Sequence, residues 1–138
     1  MLFRSSLKMN TTGSNNIGIG ANAGQFNTTG NSNVSIGSGS LSQQTINVGN
    51  VAVGHYAAYW NTSGTGLTVV GYQALNANTT GVNNTIIGQL PAAAGCVCTV
   101  LIGAGTCERV KVDNSGLYIN GSLFTGGSPL VLNDISNQ

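Results

Sequence analysis

The side chains of this chain that could carry out catalysis or hold a metal are few and scattered. His55 is the single histidine, and neither aspartate nor glutamate lies within fifty residues of it. Acid–base and nucleophilic catalysis need a reactive group held beside an activating partner, and a metal site needs several converging ligands. The sequence therefore predicts no enzymatic activity, with no catalytic residue, no cofactor and no metal site.

Three cysteines fall close together, at Cys96, Cys98 and Cys107. Cys96 and Cys98 are too near in sequence to bridge easily, but either could form a disulfide with Cys107 if the chain folds back. The remaining thiol would then be left for a contact with another chain. The alternative is that all three are reduced and packed as small apolar side chains. Zinc would need a fourth ligand that the neighbouring residues do not offer.

The sequence contains one cluster of aromatic side chains. His55, Tyr56, Tyr59 and Trp60 lie within six residues, and Tyr72 follows one repeat later than His55. Exposed rings beside amides and hydroxyls suit sugar binding, because ring faces stack on sugars while amides bond their hydroxyls. These five residues are therefore candidates for contact with a glycan. The alternative is that they pack in an interface between chains, where aromatic residues are enriched.

Charge and hydropathy exclude several classes of partner. Only seven residues are charged, none of them between Lys8 and Glu108, and the formal net charge is +1. Nucleic-acid binding needs a basic surface that neutralises phosphates, so we predict no nucleic-acid partner. No apolar run approaches the roughly 20 residues of a membrane span, which predicts no membrane insertion. Residues 1–8 also lack the continuous apolar stretch of a secretory signal.

A glycine recurs at every seventeenth position through most of the chain. A β-branched apolar residue precedes each of these glycines, a threonine lies nine positions before it, and an amide lies ten positions before it. Such a period, held without insertion, is typical of a stacked solenoid. The sequence therefore predicts an all-β fold, a parallel β-roll or β-solenoid of about six coils. The glycines are Gly20, Gly37, Gly54, Gly71 and Gly88, with a sixth at Gly103 that comes two positions earlier than the period requires.

The three residues before each glycine should form a strand whose side chains alternate in facing. Ile17 and Ile19 lie on one side of such a strand, and we expect these β-branched pairs to fill the interior of each coil. The corner glycine should be followed by a second short strand, as in Gly71–Leu75. The residue between each β-branched pair would then face outward. From coil to coil this position is occupied by Gly18, Ser35, Ala52, Val69, Ile86 and Leu101.

The expected outward position becomes large and apolar toward the end of the repeats. An exposed apolar stripe usually marks an interface, so Val69, Ile86 and Leu101 are predicted to contact other chains. A coil lined by two β-branched side chains also has a thin core. Burial contributes about 1.5–3 kcal/mol per side chain, against a backbone entropy loss of roughly 1–2 kcal/mol per residue. We therefore predict an obligate oligomer.

Several of these motifs resemble a known family. The unit Asn-x-x-Val/Ile-x-Ile/Val-Gly, the Asn-Thr-Thr-Gly turns beginning at Asn10, Asn27 and Asn78, and Gly-Tyr-Gln-Ala-Leu at 71–75 resemble the YadA-like head repeats of trimeric autotransporter adhesins. Related repeats occur in fibre proteins of phages and large DNA viruses. The resemblance, over about residues 10–105, implies a left-handed parallel β-roll and a homotrimer of chains associated along their length. The seventeen-residue period is longer than is usual in the family, and the sequence shows no coiled-coil stalk or membrane anchor.

The end of the chain departs from the repeat. Polar and apolar side chains alternate over residues 108–113, and residues 114–116 have the composition of a turn. Residues 117–121 then form a returning strand, so the segment predicts a β-hairpin. We therefore divide the chain into an N-terminal extension (1–9), a β-solenoid domain (10–105), and a C-terminal hairpin cap with an apolar tail (106–138). A cap is expected because an open solenoid end exposes an unpaired strand edge. The tail contains Pro129, Leu130, Val131 and Leu132 and could pair with a neighbouring chain.

These features favour a non-enzymatic structural protein of a virion or extracellular fibre, either a shaft module or a host-attachment module. The missing stalk and anchor favour a viral or phage fibre over the alternative, the head of a bacterial trimeric surface adhesin. The apolar tail suggests a further alternative, a filament subunit that stacks end to end. The expected partners are other copies of the chain and, for an attachment module, a glycan or protein of the host surface.

Overall fold

The computed structural model describes residues 4–77, 79–90, 97–104, 107–113, 115–119 and 122–124. These residues contain strands and turns and no helix, so none of them forms a helix that could cross a membrane. All the strands belong to one sheet, in which each strand pairs with the next in sequence. They are β1 (Ile17–Ile19), β2 (Val34–Ile36), β3 (Val51–Val53), β4 (Thr68–Val70), β5 (Thr85–Ile87), β6 (Val100–Ala104), β7 (Cys107–Asp113), β8 (Gly116–Ile119) and β9 (Ser122–Phe124).

Strands β1 to β6 stack in parallel and confirm the predicted β-solenoid. Each of the first five has three residues, and each residue pairs with its equivalent in the next coil, as Ile17 does with Val34. The shortened repeat before β6 keeps the same register, since Thr85 pairs with Val100. With about 4.8 Å between neighbouring strands, the stack rises roughly 24 Å from β1 to β6.

The last three strands are antiparallel, and they include the predicted hairpin. Strand β7 pairs with β6 and with β8, and β9 extends the sheet beyond β8. In the turn of the hairpin, Ser115 N–H donates to Asp113 Oδ1 at 2.8 Å, and Lys111 Nζ lies 3.0 Å from Asp113 Oδ2. The Lys111 ammonium, and after it the Ser115 N–H, holds the pKa of Asp113 below its usual range. The apolar tail at 129–132 lies outside the described residues.

The interior of the solenoid is lined by the middle residue of each strand, which corrects the predicted facing. Val69 and Ile86 are 0% exposed and Leu101 is 3% exposed, whereas the flanking Ile17 and Ile87 are 50% and 43% exposed. Val69, Ile86 and Leu101 therefore pack inside their own chain and are not available to a neighbouring one. A narrow coil has room for one side chain from each three-residue strand, so the two flanking side chains are turned outward.

Residues 4–9 form an incomplete coil below the first repeat. Leu7 N–H donates to Ala23 C=O and Met9 N–H donates to Gln25 C=O, both at 2.9 Å. The Leu7 side chain lies so close to Gly18 and Gly24 that a Cβ at either position would overlap with it. Leu7 thus occupies the space at the open end of the core, which explains why the inward position of β1 is a glycine.

The arm that follows each corner glycine is a run of turns, so the predicted second strand at Gly71–Leu75 is wrong. Every second residue of the arm has positive φ, for example Gln73 at 52° and Leu75 at 51°. Consecutive residues such as Ala74 and Leu75 are both fully buried, which the two-residue alternation of a strand does not allow. Each arm instead bonds to the arm of the next coil, as Ala58 N–H does to Ala74 C=O at 2.9 Å.

Buried amides stabilise the turns that connect an arm to the next strand. The Asn27 side chain accepts a hydrogen bond from Gly30 N–H at 3.0 Å and donates one to Gly30 C=O at 3.0 Å. Asn61 makes the same pair of bonds with Gly64, at 2.9 and 3.1 Å. In the third coil Gln44 and Asn47 replace the asparagine and the glycine, and both side-chain polar atoms of Gln44 are buried without a partner. Among the turns that the structure describes, this one is therefore the least well bonded.

Restoring the pattern in the third coil should stabilise the protein. In the double variant Gln44→Asn/Asn47→Gly, the new asparagine can bond the backbone of residue 47 as Asn27 bonds Gly30. Removing a buried polar group without a partner should stabilise the protein by about 1–3 kcal/mol. The added glycine opposes this gain by roughly 0.5–1 kcal/mol, because it loses more backbone entropy on folding. We expect the free energy of unfolding in urea to rise by about 1–2 kcal/mol. An unchanged or lowered value would show that Gln44 is already satisfied.

Candidate functional site

The five predicted glycan-contact residues lie together on the outside of the third and fourth coils. The rings of His55 and Tyr72 are stacked, with centroids 5.5 Å apart and planes 6° apart. The ring centroid of Tyr56 lies 4.1 Å from that of His55 and 4.9 Å from that of Tyr59. The ring centroids of Tyr59 and Trp60 are also 4.9 Å apart. The five residues therefore form one cluster in the folded chain.

The backbone of the arm turns these rings outward. Ala57 and Ala58 are fully buried in the core, so Tyr56 on one side and Tyr59 and Trp60 on the other project from the surface. His55 and Tyr72 occupy equivalent positions in successive coils, and Gln73 N–H donates to His55 C=O at 2.9 Å. The stacking of the coils thereby brings together rings that are a full repeat apart in sequence.

An aromatic cleft opens beside these rings. It has a volume of about 250 Å³ and is lined by Tyr56, Tyr59, Trp60, Gln73 and Asn76. Gln73 and Asn76 were not among the residues predicted from the sequence. One repeat length separates Gln73 from Tyr56 and Asn76 from Tyr59, so adding one period to the position of each aromatic residue would have found both.

The polar groups of the cleft are amides and hydroxyls without formal charge. The Gln73 and Asn76 side chains make no hydrogen bond in the part of the chain that the structure describes. The Tyr59 hydroxyl accepts a hydrogen bond from Gln43 Nε2 at 3.3 Å, which holds that ring in place. No residue lining the cleft is charged. The cleft therefore combines exposed ring surface with unused amide donors and acceptors.

The other candidate residues predicted from the sequence are the cysteines. Cys98 is a free and exposed thiol, so the predicted disulfide does not form at this residue. Cys96 and the Cys107 side chain lie outside the described residues. Within the described ranges, no group of three His, Cys, Asp or Glu residues could hold a metal ion.

A second candidate surface is the outer side of the sheet, which we call the apolar face. None of its side chains in β1 to β6 is buried, and Ile17, Ile87 and Ile102 are among the most exposed large apolar residues. Directly paired residues lie on the same side of a sheet, so the register extends this face into β7 and β8. Its members are Ile17, Ile19, Val34, Ile36, Val51, Val53, Thr68, Val70, Thr85, Ile87, Val100, Ile102, Val110, Val112, Leu117 and Ile119.

Comparison of the chain with protein-family profiles, with curated proteins and with solved structures found no match. Function is therefore inferred from the two surfaces of the protein itself. The apolar face spans the full height of the stacked strands, and the aromatic cleft lies on the arms of the third and fourth coils.

Proposed function

We propose that this protein is a non-enzymatic structural component of a virion or extracellular fibre, assembled as a homotrimer through the apolar face. The observation that carries the proposal is that β1 to β8 expose a continuous surface of β-branched and leucine side chains. Exposed apolar patches of this extent on soluble proteins mark interaction sites. The proposed contact is made by the side chains that flank Val69, Ile86 and Leu101. Because those three residues pack in a core within the single chain, we propose a trimer of chains that each fold, in place of the obligate oligomer expected from the sequence.

The apolar face offers enough burial to drive association. Fully burying an Ile or Val side chain contributes about 1.5–3 kcal/mol, and those of the face range from partly buried to 50% exposed. Covering most of them would contribute on the order of 10 kcal/mol, the scale of the translational and rotational entropy lost on association. A closed ring of three chains would turn every copy of the face inward and leave none open to further association.

The body of the protein suits a load-bearing fibre. Successive coils are joined by parallel backbone bonds and by side chains such as Thr11, whose hydroxyl donates to Thr28 C=O at 2.9 Å. Thr28 and Thr62 each make the same contact with the coil after their own, at 2.9 and 3.1 Å. Each coil is thereby fixed mainly to its neighbours, as in other solenoids. Such a body is a rigid spacer or platform in a fibre.

Substituting Ile87 with aspartate should break the trimer. The residue is 43% exposed in the single chain, and a charge there would be buried without a partner in the assembly. Sedimentation velocity should show trimers for the native protein and folded monomers for Ile87→Asp, with the β-type circular dichroism spectrum retained. Thr29→Asp, which places the same charge on an exposed turn, should remain trimeric.

Two results would contradict the proposal. A native protein that sediments as a stable monomer would remove the need for the interface, and equal behaviour of Ile87→Asp and Thr29→Asp would place the contact elsewhere. Open-ended polymers in place of trimers would favour the filament alternative over the closed assembly.

A further inference from the structure

We propose that the aromatic cleft is a binding site for an uncharged saccharide unit. The exposed rings of Tyr56 and Trp60 would stack on the C–H face of the sugar. The side-chain amides of Gln73 and Asn76 would bond its hydroxyls. This inference goes beyond the structural role proposed above and stands on a different part of the surface.

The shape of the cleft fits a small amphipathic ring. Tyr56 and Tyr59 meet at 81°, and Tyr59 and Trp60 meet at 89°. These near-perpendicular pairs form a bent aromatic wall, and Gln73 and Asn76 of the next coil complete the lining of the cleft. The volume of about 250 Å³ lies just below the range typical of drug-sized ligands. One sugar ring, with an apolar face and a polar edge, matches this combination.

The chemistry of the lining selects against charged ligands. No charged residue lines the cleft, and none occurs in the sequence between Lys8 and Glu108. A phosphate, sulfate or carboxylate would therefore lose its hydration without gaining an ionic partner. A neutral saccharide exchanges its bonds with water for bonds to the free amides of Gln73 and Asn76. These amides gain partners in return.

The cleft is held in shape before any ligand arrives. Buried Ala57 and Ala58 anchor the arm between the rings, and the Gln43 amide holds the Tyr59 hydroxyl at 3.3 Å. Aromatic side chains have few rotatable bonds, so little conformational entropy is lost when they bind. A rigid site of this kind can hold a single sugar ring without a conformational change.

Trp60 provides a direct reporter, because it is the only tryptophan of the chain and is 53% exposed. The native protein would be titrated with neutral tetrasaccharides of glucose, galactose, mannose and N-acetylglucosamine, and with a sialylated trisaccharide, while Trp60 fluorescence is followed. A wider glycan array would extend the panel. We expect saturable shifts with one class of neutral sugar and none that depends on the sialic acid.

Matched variants separate the site from general surface effects. Asn76→Ala should weaken binding about tenfold, as expected for a lost hydrogen bond. Trp60→Ala removes the fluorescent reporter, so its sugar binding would be measured by calorimetry. This substitution should weaken sugar binding by more than about tenfold. Phe26→Ala is the control, because Phe26 is an exposed ring at the same position two coils earlier, and it should bind like the native protein.

Three outcomes would overturn the proposal. One is the absence of binding to every glycan of the panel and the array, and another is an equal effect of Phe26→Ala and Trp60→Ala. The third uses acrylamide quenching: if the native protein shields Trp60 and Ile87→Asp exposes it, the cleft is packing between chains. A monomeric native protein that binds sugar would refute the trimer and leave this site standing.

Discussion

Replacing Ile86 with aspartate should remove much of the free energy of unfolding, whereas the same replacement at the neighbouring Ile87 should leave each chain folded. Ile86 is 0% exposed and packs in the core of the coil, while Ile87 is 43% exposed on the apolar face. A carboxylate buried without a partner is destabilising by about 3–5 kcal/mol or more, against a total stability of about 5–15 kcal/mol for a typical domain. Circular dichroism and urea unfolding of the two variants would measure this contrast.

A milder change at the same position provides the control. Ile86→Val keeps the shape and removes one methylene, so its unfolding free energy should fall by only about 0.5–1.5 kcal/mol. If Ile86→Asp instead folds with near-native stability while Ile87→Asp unfolds, the side chains of the strands face the opposite way. The interface would then return to Val69, Ile86 and Leu101.

Gly71→Ala should be nearly as damaging, because this corner excludes a Cβ for two independent reasons. Gly71 has φ of 140°, which side chains of L-residues rarely adopt, and a Cβ there would stand 2.7 Å from Gly88 C=O of the next coil. Backbone strain costs about 1–3 kcal/mol, and steric overlap in a packed position adds about 1–3 kcal/mol. We expect urea unfolding to show a loss of roughly 2–6 kcal/mol.

Gly49→Ala separates the two reasons. Gly49 also has positive φ, 68°, but nothing lies within 4 Å of where its Cβ would be. Only the backbone term then applies, and the loss should be about 1 kcal/mol. Equal losses at Gly71 and Gly49 would show that the close approach of successive coils at the corner contributes nothing.

The repeat by itself was enough to predict the stacked parallel strands, their register and the corner glycines. Equivalent residues recur at a fixed interval, and stacking in register is the arrangement that pairs the backbone of every coil with the next. The corner glycines could be identified because other residues rarely adopt φ between 113° and 140°, the values found at the five of them that keep the full period. The hairpin of β7 and β8 was predictable for a similar reason, since local alternation and turn composition determine it.

Which side of the strands is buried was decided by the tertiary structure. Alternation shows that Ile17 and Ile19 share a side, but it does not show which side points into the coil. In this fold the interior is shared with the arms, where Leu41, Leu75, Ala57 and Ala58 already fill much of the space. One central side chain from each strand completes the core, so the β-branched pairs remain outside even though their composition suggests burial.

The arms and the aromatic cleft depend on contacts between coils in the same way. Leu41, Tyr56 and Leu75 have positive φ, which their residue types disfavour and which local sequence therefore does not reveal. Stacking imposes this conformation because each arm must bond to the arms beside it. The same stacking brings Gln73 and Asn76 into the lining of one cleft with rings of the preceding coil. The sequence alone determined the repeat and its corners, and the packing of neighbouring coils decided which surfaces are left to bind partners.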